Sequence, residues 1–99
     1  MAKDHTYFVY LMASSKYGTL YVGMTNNIAV RSRDHAEGRG SSFTKKYNIR
    51  HLVWYEQHQF VDQAIAREKI IKKWRRADKI ALIEQNNPHW EDLGPPMWR

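Results

Sequence analysis

The chain has 99 residues, 42% hydrophobic and 13% aromatic, which suits one compact domain with one core and argues against disorder. The absence of cysteine excludes disulfides, cysteine-based zinc sites and thiol catalysis. Sixteen Lys and Arg against ten Asp and Glu give a formal charge of +6 and a pI near 9.7, an excess that attracts polyanions, nucleic acid foremost.

Two short apolar-aromatic runs come first, Tyr7 to Met12 and Thr19 to Gly23, joined by the polar segment Ala13 to Gly18. They predict a β-hairpin, because aromatic and β-branched residues favour a pleated surface and Ser and Gly supply the turn. Either Asn26 or Asn27 can then cap a helix beginning near Ile28. On a two-residue period Tyr10 shares a face with Phe8 and Met12, and Tyr21 with Thr19 and Gly23. On the helix, Ile28, Arg31, Ser32 and His35 fall in one sector, with Arg31 and His35 spaced i,i+4. Two phenols, a guanidinium and an imidazole can therefore converge. Taken singly, the same residues also suit two ordinary strand aromatics and a solvated helix face.

Gly38 or Gly40 can end that helix. Arg39 to Tyr47 reads as a Gly/Ser-rich, then basic, loop. Its Phe43 and Tyr47 interleave with Lys45 and Lys46, a mixture that suits phosphates and stacked bases, or a loop pinned to the core by its rings. Leu52 to Glu56 predicts a third strand completing a small antiparallel sheet, flanked by His51 and His58 as surface residues without partners at metal-ligand spacing. From Val61 to Trp74 the pattern turns helical, with Val61, Ala64, Ile65 and Ile71 as the apolar stripe and Glu68 in its middle. A carboxylate facing a sheet is costly unless it is paired, hydrogen-bonded or metal-bound, and Lys72 stands one turn on. The other faces are basic: candidates for phosphate contact, with Lys45 and Lys46, are Lys72, Lys73, Arg75 and Arg76.

Asp78 can cap a third helix carrying Ile80, Leu82 and Ile83, which Asn86-Asn87-Pro88 stops. Residues 89–99 then form a tail along the surface with Trp90 docked, after a single domain over residues 1–88. The expected fold class is α+β, a three-stranded antiparallel sheet flanked by about three helices. A polar start and no apolar run near the roughly 20 residues that span a bilayer predict a soluble cytoplasmic protein with no membrane partner.

Read together, Phe8-Val9-Tyr10, Tyr21-Val22-Gly23, Arg31 and His35 resemble the GIY-YIG nuclease domain over roughly Thr6 to Asn87. The chain looks closest to the small stand-alone bacterial members. The first triplet departs by carrying Phe8 in place of glycine, which leaves Tyr10 in position, and Glu68 completes the family's active-site set. The resemblance implies a metal-dependent endonuclease that hydrolyses DNA phosphodiester bonds, structure-selective and linked to repair or recombination. Its catalytic residues would be Tyr10, Tyr21, Arg31, His35 and Glu68, with Mg²⁺ or Mn²⁺ on Glu68 and no small-molecule cofactor. Arg31 would contact the phosphate, Tyr10 or Tyr21 would help deprotonate the attacking water, and His35 would orient a tyrosine or the phosphate. Where some members carry a lysine or another polar residue after the second triplet, this chain has Met24, with Thr25 beside it able to supply a hydrogen bond but no charge. The alternative is a nucleic-acid-binding module with the same fold and little cleavage.

Overall fold

Aromatic and β-branched residues make three strands: β1 (Tyr7–Ala13), β2 (Leu20–Thr25) and β3 (His51–His58). In a computed structural model of the chain, which describes residues 6–94, they form one antiparallel sheet in the order β2-β1-β3. The hairpin turn closes through the Ser14 amide donating to the Thr19 carbonyl at 3.0 Å and the Gly18 amide to Ser15 at 2.8 Å. The register sets Tyr10 opposite Gly23 on one side and opposite Tyr55 on the other. A break in register between Leu11 and Met12 leaves Val53 as the extra residue of β3, which turns Leu52 to one face while Val53 and Trp54 serve the other.

Four helices follow the strands: α1 (Ile28–Ala36), α2 (Ser42–Lys46), α3 (Val61–Lys73) and α4 (Arg76–Asn86). Asn27, of the two candidate caps, starts α1: its Oδ1 accepts from the Val30 amide at 3.1 Å. Gly38 lies just beyond the helix with φ +77°, a conformation that glycine adopts without penalty. Strand alternation then divides the core. Val9, Leu11 and Ala13 pack with Ala64 and Ile71 of α3, Ile83 of α4, and Trp90. Tyr10 and Met12 point to the opposite face, with Ile49 and Leu52 buried there and Tyr21 and Ile28 against them. The sheet is therefore covered on both faces, and Tyr10 belongs to the α1 side.

Four expectations change. The segment read as a loop contains α2, because Ser41 Oγ accepts from the Thr44 amide at 3.3 Å and Thr44 itself is buried. On α3 the stripe is narrower than predicted: Ala64 and Ile71 are buried, while Val61 and Ile65 stay 42% and 38% exposed. At 3.6 residues per turn Ala64 and Ile71 lie almost on one line, while Val61 and Ile65 fall about 60° and 100° to one side of it. Asp78 lies inside the first turn of α4, whose cap position is Arg75 with no side-chain bond; there it still favours the positive helix end. His58 is not a free surface residue, since its Nε2 meets Glu56 Oε2 at 2.5 Å, and Glu56 also takes Arg67 Nε at 3.0 Å.

Trp90 is buried and donates from Nε1 to Glu84 Oε2 at 2.8 Å. Past it, the Leu93 amide donates to the Leu52 carbonyl at 2.7 Å, so the chain after α4 runs back along β3. The expected positions of Pro95, Pro96 and Trp98 lie outside the described residues.

Candidate active site

Tyr10 is the centre of the arrangement. It comes from the middle strand, is only 2% exposed, and brings its hydroxyl to 3.5 Å from His35 Nε2. Tyr21, from β2, completes a three-ring cluster: its centroid is 6.3 Å from that of Tyr10 and 5.7 Å from that of His35. The cluster exists because β1 and β2 each present one tyrosine to the face on which α1 lies, and His35 is buried on α1's inner side. Arg31, one helical turn earlier and exposed, has no ion-pair partner among the described residues.

The charges meet at Tyr10. Burial pushes its phenol well above the ordinary tyrosine range; the neighbouring Tyr21 and, more weakly, the Glu68 carboxylate push the same way, and Arg31 offsets part of it. Tyr10 is thus held protonated. His35 is pushed below the ordinary histidine range, first by burial and then by the Arg31 guanidinium, with Asp34 partly opposing. A neutral imidazole facing a neutral phenol follows, and Nε2 is free to accept the Tyr10 proton if the Nδ1–H tautomer is present. Nδ1 itself is buried and has no hydrogen-bond partner among the described residues.

Glu68 stands on α3, which packs against the other face of the sheet from Tyr10, and its charge is the weakest of the influences on that phenol. Its side chain is 20% exposed and pairs with Lys72 at 3.2 Å. The carboxylate thus has the i,i+4 lysine partner that its spacing allows, and its charge acts weakly on the Tyr10 phenol.

Two glycines shape the site. A Cβ on Gly23 would overlap the Tyr10 hydroxyl and Cζ, so the ring lies directly over that glycine. A Cβ on Gly40 would overlap His35 Nδ1 and Thr44 Oγ1, so the chain leading into α2 forms the wall behind the imidazole. In the sequence Gly40 reads only as a possible helix stop and Thr44 has no assigned role; the close approach of Gly40 to His35 and Thr44 has no signal in a local pattern. Thr25, foreseen as a substitute hydrogen-bond donor, is buried and receives the Asn27 amide at 3.1 Å, so it shapes the entry to α1. Met24 packs against the opposite core.

The basic candidates separate. Lys45 and Lys46 are exposed on α2, whose Phe43 touches Tyr21 at 6.1 Å between centroids. Lys72 is held by Glu68, Lys73 is exposed at the end of α3, and Arg75 Nε lies 3.7 Å from Asp78 Oδ2. Arg76 Nη2 donates to the Tyr17 and Gly18 carbonyls at 2.5 and 2.7 Å, which ties α4 to the hairpin turn.

A β2-β1-β3 sheet that sets two tyrosines beside a histidine from α1, with helices on both faces, is a small α+β domain. The GIY-YIG catalytic domain matches residues 6–81, and the chain belongs to that family. UPF0213 proteins of Staphylococcus aureus strains Mu50 and N315 are each 34% identical to it over 80 residues, spanning 81% of this chain and 96% of theirs. The solution NMR structure of the UPF0213 protein BH0048 from Bacillus halodurans resembles it with a TM-score of 0.55 at 25% identity, over 88% of this chain and 92% of that one.

Proposed function

We propose that this chain is a divalent-metal-dependent endonuclease that hydrolyses DNA phosphodiester bonds. The observation that carries the reading is the convergence on Tyr10: the His35 Nε2 contact at 3.5 Å and the fields of Tyr21, Arg31 and Glu68 on one phenol.

Glu68 fits a hard cation. It offers a half-buried carboxylate, and no cluster of three or more His, Asp or Glu exists among the described residues. Mg²⁺ or Mn²⁺, which keeps several waters and needs few protein ligands, suits such a donor. When bound, the ion supplies Lewis-acid polarisation of the phosphate and charge stabilisation at the leaving oxygen. The Glu68–Lys72 pair is no obstacle: its lysine is exposed, and i,i+4 pairs of this kind contribute about 0.3–0.5 kcal/mol.

The protein's own groups do the rest. Arg31, exposed and without an ion-pair partner among the described residues, binds the scissile phosphate and offsets the charge that grows on it. The Tyr10 hydroxyl takes a proton from the attacking water as it gives its own to His35 Nε2, so no free phenolate has to form in a buried site. Tyr21, more open to solvent, holds the water from the other side. Branched or flapped DNA in repair or recombination is the setting this chemistry suits.

The competing reading is a binding module on the same fold. Met24 favours it, because the position after the second triplet contributes an apolar side chain to the core and no charge to the site. Cleavage of end-labelled single-stranded, duplex, flap and four-way-junction DNA in Mg²⁺, Mn²⁺ or EDTA decides between them. Metal-dependent products from wild type, absent from Glu68→Ala and Arg31→Ala, are expected of the endonuclease. Salt-sensitive binding by all three proteins without products would establish the binding module instead.

A further inference from the structure

We infer that Phe43 and Tyr47 continue the ring cluster outward from Tyr21 as a base-stacking ladder, which receives unpaired bases of single-stranded DNA beside the scissile phosphate. The inference rests on the nuclease reading of the Tyr10 site and names the form of nucleic acid that site accepts.

The ladder is continuous. Tyr21 and Phe43 centroids are 6.1 Å apart with planes 30° from parallel, and Phe43 and Tyr47 are 4.7 Å apart at 47°. Its inner rung touches His35, so it begins inside the candidate active site. Its outer two rungs, Phe43 and Tyr47, are each 43% exposed.

Those two rings are not needed to hold α2 in place. Ser41 caps the helix, Thr44 and Ile49 are 2% and 1% exposed, and the Ile49 amide donates to the Thr44 carbonyl at 2.8 Å. The anchoring is done by the small and aliphatic residues of the segment, and the large rings are left facing water beside one another. Contiguous exposed rings of this kind mark a binding surface.

The charge beside them points to the occupant. Lys45 and Lys46 are exposed and have no ion-pair partner among the described residues, and Lys46 Nζ lies 5.5 Å from the Tyr47 centroid. Cations on the rim and stacked rings in the centre match a nucleic-acid strand with phosphates outside and bases turned in. A duplex keeps its base faces stacked on each other and offers none to a ladder along its side. Unpaired bases offer every face.

Binding of a short fluorescein-labelled single strand, the same strand made abasic, and a blunt duplex, followed by anisotropy in EDTA, tests this. The full-length wild type, Phe43→Ala, Tyr47→Ala and Tyr47→Phe are compared at one salt concentration, with thermal melting to check folding. Each alanine variant is expected to bind the single strand about 5- to 100-fold more weakly, with duplex affinity unchanged within about twofold. Tyr47→Phe is expected to keep wild-type affinity, and the abasic strand to bind wild type no better than the intact strand binds Phe43→Ala. Equal losses on single strand and duplex, single-strand affinities unchanged in both alanine variants, or no single-strand binding by wild type would overturn the ladder. Wild-type cleavage in Mg²⁺ is read in parallel. Cleavage by a wild type whose single-strand affinity the alanine variants match removes the ladder and leaves the nuclease; the expected binding losses without any cleavage leave the ladder and remove the nuclease.

Discussion

The ring of Tyr10 lies over Gly23, its cross-strand partner, where a side chain would have to stand. A glycine in mid-strand normally weakens a sheet, and here the aromatic ring covers the gap it leaves. The second triplet's glycine is thus a steric consequence of the first triplet's tyrosine. Gly23→Ala is expected to destabilise the fold by about 1–3 kcal/mol and to displace the Tyr10 hydroxyl from His35. Urea unfolding checks the first effect. Adding Tyr10→Leu should recover part of the loss, because it removes the ring that the new methyl group strikes.

Histidine 35 gives the fold an acid-sensitive term. Burial and Arg31 lower its proton affinity in the folded state, so below the ordinary value of about 6.5 the unfolded chain binds a proton that the folded chain resists. Stability should fall as pH drops through about 6.5 and go on falling until it reaches the lower folded value. Melting temperatures of wild type and His35→Gln between about pH 7.5 and 5 test this: the variant's curve should be flatter over that window. A wild-type curve no steeper than the variant's would refute the assignment.

Lys72 competes for the carboxylate that the metal reading needs. Lys72→Ala is expected to change stability by about 0.5 kcal/mol or less, since the lysine is exposed and i,i+4 pairs contribute little. In a magnesium titration of cleavage it should lower the half-saturating concentration. A higher requirement would mean that Lys72 assists the site.

Among the six basic residues singled out from sequence, Arg76 is committed to the hairpin turn through two carbonyls, whereas Lys73 is exposed and, among the described residues, unpaired. Arg76→Ala should therefore cost about 1 kcal/mol of stability and leave the salt dependence of DNA binding as it was. Lys73→Ala should do the reverse, lowering the log–log salt slope by about one if that lysine neutralises a phosphate. Duplex titrations at several salt concentrations, beside urea melts, separate the two.

The local chemistry of the chain determined much of this protein. Strand-forming runs, the Asn27 cap and the Asn86-Asn87-Pro88 stop are short-range effects, and they placed three strands and the three longer helices within a few residues. Two-residue and 3.6-residue periods also aimed Tyr10, Tyr21, Arg31 and His35 at one side, since side-chain direction follows from backbone geometry alone. Only the tertiary structure decided the rest. Which apolar residues of α3 reach the core depended on which line of the helix the sheet meets; it meets Ala64 and Ile71, and Val61 and Ile65 stay partly exposed beside it. The helix α2 depended on Ser41 and on a buried seat for Thr44, which no period announces. Arg76 found carbonyls on a turn 58 residues away in sequence, and the charge of Glu68 reaches Tyr10 only because α3 packs against β1 and β2. Such contacts are set by packing between segments distant in the chain, and a local pattern carries no record of them.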